Sequence, residues 1–379
     1  MSLNLPVYLD YASTTPVDKR VLDKMLPYFD QYYGNASSKT HAYGWMADEA
    51  VKIAGEQIAS LINSSTEELI FTSGATESIN LALRGITEYA KEKKQIISFT
   101  SEHRAVLDTL IHLEKKGFQI TLLNPNADGS IDLTLLSDNI TSSTLMIVCM
   151  YANNETGVIH PVRKIGEIAE KNQIIFFCDG TQAVGKIPVD VLEDNIHMMA
   201  FSSHKMYGPK GAGTLYVRRK NPRIDVAAQI TGGGQQLDRR SGTMNVPGIV
   251  GFGEAARICQ SEMMSESKRI LDLKIHLEEK LMNELGASVH GIKTDRLPNI
   301  TNVCLNNYKG SSLIPSLCNH IAVSAGSACS SGEAGGSHVL KAMGLSAESI
   351  KKTIRISLGR MTTKEDVYEA IQQLKMICH

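Results

Sequence analysis

No two cysteines of the 379-residue chain are spaced as Cys-x-x-Cys, and the seven present, at 149, 178, 259, 304, 318, 329 and 378, are odd in number and scattered. That pattern argues against a disulfide framework and a structural zinc site, and predicts a reducing compartment, the cytoplasm. No apolar run approaches the length that spans a bilayer. Met1 to Pro6 lack the charged and apolar regions of a signal peptide. An excess of one charge is missing too, with 39 lysines and arginines against 40 aspartates and glutamates. A nucleic-acid binder usually carries a basic excess or stripe, so neither direct nucleic-acid contact nor a membrane role is expected. There is no repeat or low-complexity linker, and no P-loop lysine follows Gly232-Gly233-Gly234. What remains is an ordinary globular composition, 42% hydrophobic and 21% charged. It is long enough for more than one packing unit, and a small-molecule substrate is the default expectation.

From about Glu68 to Val217, short apolar runs alternate with stretches of helical period. The runs fall at 69–72, 96–99, 120–123, 145–150, 174–178, 198–201 and 214–217, and 77–91, 105–115 and 162–171 carry helical patterns. Strands rich in β-branched residues alternating with helices predict βαβ units and a mostly parallel sheet covered on both faces. Gly211 and Gly213 are placed to turn one strand back antiparallel. A long helix is predicted from Pro247 to about Glu284, followed by short strands near 300–305 and 354–358, helices near 337–343 and 364–376, and glycine-rich turns. The expected class is α/β, with a large unit over 15–259 and a smaller α/β unit made of 1–14 and 260–379.

Four short segments carry candidate chemistry. Lys205 follows the apolar run 197–201, where a desolvated lysine suits Schiff-base chemistry. On its own it reads better as a surface lysine in a loop, as Lys210 does. Asp179 follows the run 174–177 at the end of a strand, where open α/β sheets bind ligands; it has the chemistry to protonate a pyridine nitrogen, or to cap a helix. Gln182, close by, would bond a ring oxygen or lie exposed. Thr72-Ser73-Gly74-Ala75-Thr76-Glu77 runs from strand into helix, a setting for a phosphate or for plain capping. His103, again just past a strand, would stack on a planar ring and exchange protons, or do nothing.

In combination these segments are far more specific. The runs YLDYASTTP, GNASS, SGATES, EHRAV, NNETG, DGTQAVGK, SSHKMYGPKG, RRSGTMN, SAGSACSS and IRISLGR cover nearly the whole chain. The sequence resembles the cysteine desulfurases of the NifS/IscS-like branch. The resemblance implies the fold of the large aminotransferase superfamily (fold type I), a homodimer, pyridoxal 5'-phosphate as cofactor, and conversion of L-cysteine to L-alanine with sulfur transfer. It implies Lys205 as the cofactor-bearing lysine, Asp179 as the partner of the pyridine nitrogen, and His103 stacked on the ring. Ala75, Thr76, Ser202 and His204 would bind the phosphate, joined by Thr243 from the other subunit. Gln182 would bond the ring oxygen, and Asn154 and Arg355 the substrate carboxylate. Ala36 and Ala325 replace a proline and a serine common in the family, at positions without chemistry. The chain stops at His379 without the longer tail that helps dock scaffold proteins in some members, so the acceptor stays open.

What separates a desulfurase from an aminotransferase is a nucleophilic thiol. Cys329 lies in a polar, small-residue stretch, 324–336, expected to be exposed and mobile, with Gly332, Gly335 and Gly336 supplying freedom of motion. Cys149, Cys178 and Cys304 fall within apolar strands and read as core, Cys378 as tail, and Cys318 and Cys259 as helical. The long form of this loop resembles the branch that delivers sulfur to scaffold proteins. The rival readings are selenocysteine lyase chemistry, a transaminase or decarboxylating relative, and a non-catalytic sulfur-relay or scaffold protein.

Overall fold

The computed structural model describes residues 5–310, 313–325 and 336–378. A seven-stranded sheet forms the centre, built from β2 to β8 of the chain's twelve described strands. After the short β1 (Val7–Tyr8), its members are β2 (Leu69–Thr72), β3 (Gln95–Phe99), β4 (Gln119–Leu123), β5 (Thr144–Met150), β6 (Ile175–Asp179), β7 (Met198–Ser202) and β8 (Gly213–Val217). Their order across the sheet is β2-β8-β7-β6-β5-β3-β4. The five strands from β3 to β7 run parallel, while β8 is antiparallel to both neighbours. The glycines after Lys210 thus do reverse the chain.

The sheet is buried on both sides because its side chains alternate between two apolar layers. In β5, Ile147 and Cys149 join one core while Met146 and Val148 join the other. In β6, Phe176 and Cys178 face the first and Phe177 the second. The helices Ala42–Leu61 and Val162–Lys171 cover the first face, and Ala75–Thr87 and Arg104–Glu114 the second.

The helix Val246–Leu285 runs for 40 residues. The Asn245 side chain caps its start, Pro247 sits in its first turn, and Gly286 ends it in the left-handed conformation at φ 61°. Phe252, Ala256 and Cys259 belong to the first core, whereas Leu273, Leu277 and Leu281 build a separate one. That separate core is completed by a three-stranded antiparallel sheet of β9 (Ser288–Val289), β10 (Ile300–Cys304) and β12 (Thr353–Ser357), and by the helix Lys364–Cys378. The remaining strand, β11 (Ile321–Ala322), pairs in parallel with β1. Residues 10–15 then cross from this smaller core to the large sheet: Asp10 bridges Ser357, and Thr15 donates its backbone N–H to the His204 carbonyl. No helix among the described residues is long and apolar enough to cross a membrane.

Candidate active site

At the carboxyl ends of the parallel strands lies a cleft of about 470 Å³, lined by Ala75, Thr76, His103, Asn154, Asp179, Gln182, Ser202, His204, Lys205 and Arg355 among others. Ten of the twelve residues singled out in the sequence therefore meet in one place. The two that do not are Thr243, exposed in the loop before the long helix, and Cys329, which lies outside the described residues.

Lys205 ends a 3₁₀ turn just past β7. Its Nζ donates to the carbonyls of Ala12 and Ser13, each at 2.6 Å. Tyr207 follows in the left-handed region at φ 65°, a conformation that a bulky residue adopts only when its surroundings dictate it. They do so here. The Tyr207 backbone N–H donates to Thr15 Oγ1, its carbonyl accepts from Asp18, its hydroxyl accepts from the Arg360 N–H, and the Arg360 guanidinium lies 4.2 Å from its ring. The lysine is thus presented from a backbone fixed on both sides.

Asp179 ends β6, buried, and accepts the backbone N–H of Thr181. The Thr181 hydroxyl, also in the cleft wall, is buried without a partner. Gln182 donates through Nε2 to the Ala12 carbonyl at 2.9 Å, and its Oε1 accepts from Lys186. His103 caps the helix Arg104–Glu114 by accepting the Ala105 N–H at Nδ1. The neutral ring therefore carries its proton on Nε2. Burial holds the imidazolium form down, with Lys205 and His338 adding repulsion against the attraction of Asp179. Directly beside it, burial and, less strongly, Asp179 push the Glu102 carboxyl well above its ordinary range, against the pull of the Met150 N–H it accepts at 2.7 Å.

An anion cup forms where β2 enters the helix Ala75–Thr87. Gly74 precedes the helix and no side chain caps it, which leaves first-turn N–H groups facing the cleft. The cup is tight: a Cβ on Gly213 would sit 2.5 Å from the Gly74 Cα. Burial, followed by Lys205, Lys210 and Lys186, depresses His204 to about 4, a mark of the positive potential there. The Glu77 carboxylate lines the cleft beside the cup, and Arg240 neutralises it at 2.7 Å. Sequence reasoning missed that pair.

On the opposite wall, Arg355 is 2% exposed. Its Nη2 donates to Asp10 Oδ1 and Ser13 Oγ, both at 2.7 Å, and its Nη1 to the Asn154 carbonyl at 2.9 Å. Of a guanidinium's five N–H groups, the Nε–H and one Nη1–H remain uncommitted, and Nε is buried without a partner. The Asn154 Oδ1 is orphaned in the same way. These atoms make a ready carboxylate site.

The class-V aminotransferase family model matches residues 7–369. The chain belongs to this family, among its IscS-like cysteine desulfurases. It is 46% identical to the cysteine desulfurase IscS of Anaeromyxobacter dehalogenans over 98% of this chain and 92% of that protein. A relative of the same name from a Shewanella strain is 46% identical over 98% of this chain and 92% of its own. Among solved structures, a NifS-like protein superposes with a TM-score of 0.91 at 36% identity, covering 98% and 99% of the two chains. A structure described as SspA in complex with cysteine gives 0.83 at 37% identity, covering 93% and 98%. Membership in the family brings pyridoxal 5'-phosphate as the cofactor. The cup, the buried Asp179, the orphaned Thr181 hydroxyl and the lysine amine suit the phosphate, the ring nitrogen, a ring substituent and the aldehyde of that molecule.

Proposed function

We propose that the chain is a cysteine desulfurase that converts L-cysteine to L-alanine and passes the sulfur, held as a persulfide on Cys329, to an acceptor protein. The observation that carries this reading is the convergence of Lys205, Asp179 and the anion cup with Arg355 in one cleft. Bound there, pyridoxal phosphate supplies an electron sink for the charge released when the substrate's Cα–H bond breaks. The protein's own groups do the rest. Lys205 carries the cofactor and then moves the α-proton, and Asp179 keeps the pyridine nitrogen protonated. First-turn N–H groups of Ala75 and Thr76, with Ser202 and His204, hold the phosphate. The second Nε2–H of Gln182 reaches the ring oxygen. The two free N–H groups of Arg355, with Asn154, take the carboxylate. His103 stacks on the ring. To accept the substrate thiol proton it must give up the Ala105 bond or first lose its Nε2–H.

The Cys329 thiolate then attacks the substrate sulfur. The new S–S bond forms as the C–S bond breaks, and its electrons stay on the carbon that becomes the alanine methyl, so no outside oxidant is needed. Reach supports this role. Ser324 pairs with Arg355 in an antiparallel bridge, and five extended residues span at most about 18 Å. Cys329 is thereby tethered to the substrate wall. On the far side of the segment, Ser337 donates to buried Glu155 at 2.5 Å and His338 Nε2 meets the Glu102 carbonyl at 2.9 Å.

We also read the protein as a cytoplasmic homodimer, in which the exposed Thr243 reaches the partner's cofactor. The division into 15–259 and 1–14 with 260–379 is supported by the long helix changing cores near its middle. The deciding experiment is Cys329→Ser. The variant should bind pyridoxal phosphate and respond spectrally to cysteine, yet produce alanine and sulfide only at background level. Mass spectrometry should find one extra sulfur on the 326–335 peptide of the wild type and none on the variant. Near-normal alanine release by the variant would overturn the persulfide route.

A further inference from the structure

A second lysine, Lys186, stands beside the cleft, and the chemistry above makes no use of it. It closes the turn after β6, where Ser267 Oγ donates to its carbonyl at 2.6 Å. Its Nζ donates to the Gln182 carbonyl at 3.1 Å and to Gln182 Oε1 at 3.2 Å. The second of these bonds orients the Gln182 amide, because an ammonium only donates and so selects the oxygen end. The NH₂ end is left facing Ala12, whose carbonyl accepts from it at 2.9 Å and from Lys205 Nζ at 2.6 Å. One amide and one carbonyl therefore join the two lysines. Lys186 does not line the cleft, so it has no contact with substrate.

The charged and titratable groups around Lys186 come from two elements. Lys205 and His204 approach from the turn after β7, and Cys259 and Glu266 from the long helix. Arg360 occupies Glu266 at 2.8 Å, which removes much of that carboxylate's pull. Burial and then Lys205 bring Lys186 down to about 7.

From this the geometry points to Lys186 as a positioning residue that fixes the Gln182 amide and, when protonated, sets a positive charge beside Lys205, disfavouring a proton on the Lys205 nitrogen. The inference rests on the reading of Lys205 as the cofactor-bearing lysine. A neutral amine is the form that attacks a carbonyl. A charge held three hydrogen bonds away favours that form without entering the reaction.

The test is a pH titration of the visible absorbance of the cofactor-loaded full chain, in wild type, Lys186→Met and Lys186→Arg. Arginine is charged at every accessible pH and methionine at none. The Met variant's midpoint should therefore lie about one pH unit above the Arg variant's, with the wild type between them or beside the Arg variant. Lys186→Gln provides a second neutral arm if Lys186→Met fails to fold. Coincident midpoints in the charged and neutral variants, or a lower midpoint in the neutral one, would overturn the inference. Borohydride reduction and peptide mapping separate the two layers. An adduct away from Lys205 defeats the reading of the site, whereas an adduct on Lys205 with unmoved midpoints defeats the role of Lys186 alone.

Discussion

The two walls of the cleft are made in different ways. The cofactor wall comes from the ends of strands of one sheet, where Asp179 ends β6 and Ala75, His103 and Lys205 follow β2, β3 and β7 within four residues. The substrate wall is assembled from distant parts of the chain. Arg355 lies within β12 of the smaller sheet and is aimed by Asp10 and Ser13, more than 340 residues earlier. The first wall is fixed by the rigidity of a doubly covered sheet, the second by a part-buried ion pair and a crossing segment. Substitutions on the cofactor wall should therefore abolish a function outright, and those on the substrate wall should weaken binding in steps.

Lys205→Ala is the extreme case for the first wall. It should remove covalent cofactor attachment and bring alanine formation to background, while the fold persists, since the lysine's Nζ bonds the carbonyls of Ala12 and Ser13 in the crossing segment. Lys186 should not substitute for it, because it does not line the cleft and its Nζ is engaged by Gln182. A borohydride-stable adduct on Lys186 in the Lys205→Ala protein would break the comparison, as the cofactor wall would then be less rigid than its hydrogen bonds imply.

That wall was also the legible one. All seven sheet strands lie within one residue of the apolar runs at each end, because strands buried on both faces read as continuous β-branched and aromatic stretches and the part-exposed edge strand β4 still carries three apolar residues in its five. The helix Ala42–Leu61 went unread. Gly44 and Gly55 interrupt its apolar pattern, and both are sites of close approach, where a Cβ would lie 1.9 Å from the Ser38 carbonyl oxygen or 2.6 Å from a Thr66 methyl. On the substrate wall the sequence pointed to Arg355 and Asn154 through resemblance alone. Asp10 and Ser13 stood in a quoted run with no role, since no local spacing connects residues brought together only by tertiary packing. Lys186 is the intermediate case. It was visible in the run DGTQAVGK, but its meaning depends on which way one amide turns.

The substrate wall predicts a graded pair of effects. Arg355→Lys keeps a charge but loses the planar fork, and with it the bonds to a carboxylate. The cysteine concentration at half-maximal rate should rise about 10- to 100-fold, the worth of one or two charge-assisted hydrogen bonds. Bound cofactor should be unchanged, as judged by absorbance. Asp10→Asn leaves the arginine in place but loosens its aim, so the same measurement should move by a smaller factor, about 3- to 10-fold. If Asp10→Asn proves the more damaging of the two, Asp10 holds the wall together and Arg355 is its tenant. If either variant releases the cofactor, the two walls are not separable.

The smallest expected effect lies at the joint between the walls. Asp18, at the start of the first helix, accepts from Arg20 at 2.8 Å and from Arg360 at 2.6 Å, and Arg360 in turn meets Glu266. The N-terminal segment is thereby tied to the turn after β12 and to the long helix. Hydrogen bonding from Arg20, and more weakly from Arg360, holds the Asp18 carboxyl far below the ordinary aspartate range. A carboxyl depressed in the folded state contributes stability that is fully present above its unfolded value of about 3.9, and that is lost as pH falls below it toward the folded value. Asp18→Asn should therefore lower the melting temperature by a few degrees at pH 7, where the wild type has the whole contribution. The gap should narrow below about pH 4, as the unfolded wild type begins to take up the proton that the folded form resists. Melting followed at pH 7, 5 and 3.5 gives the comparison. A gap that stays constant over that range would mean Asp18 acts through its helix-capping hydrogen bond to Arg20 N, which asparagine could also supply only in part, and not through its charge. The two walls would then be joined by backbone geometry, and the arginine network would be incidental to their alignment.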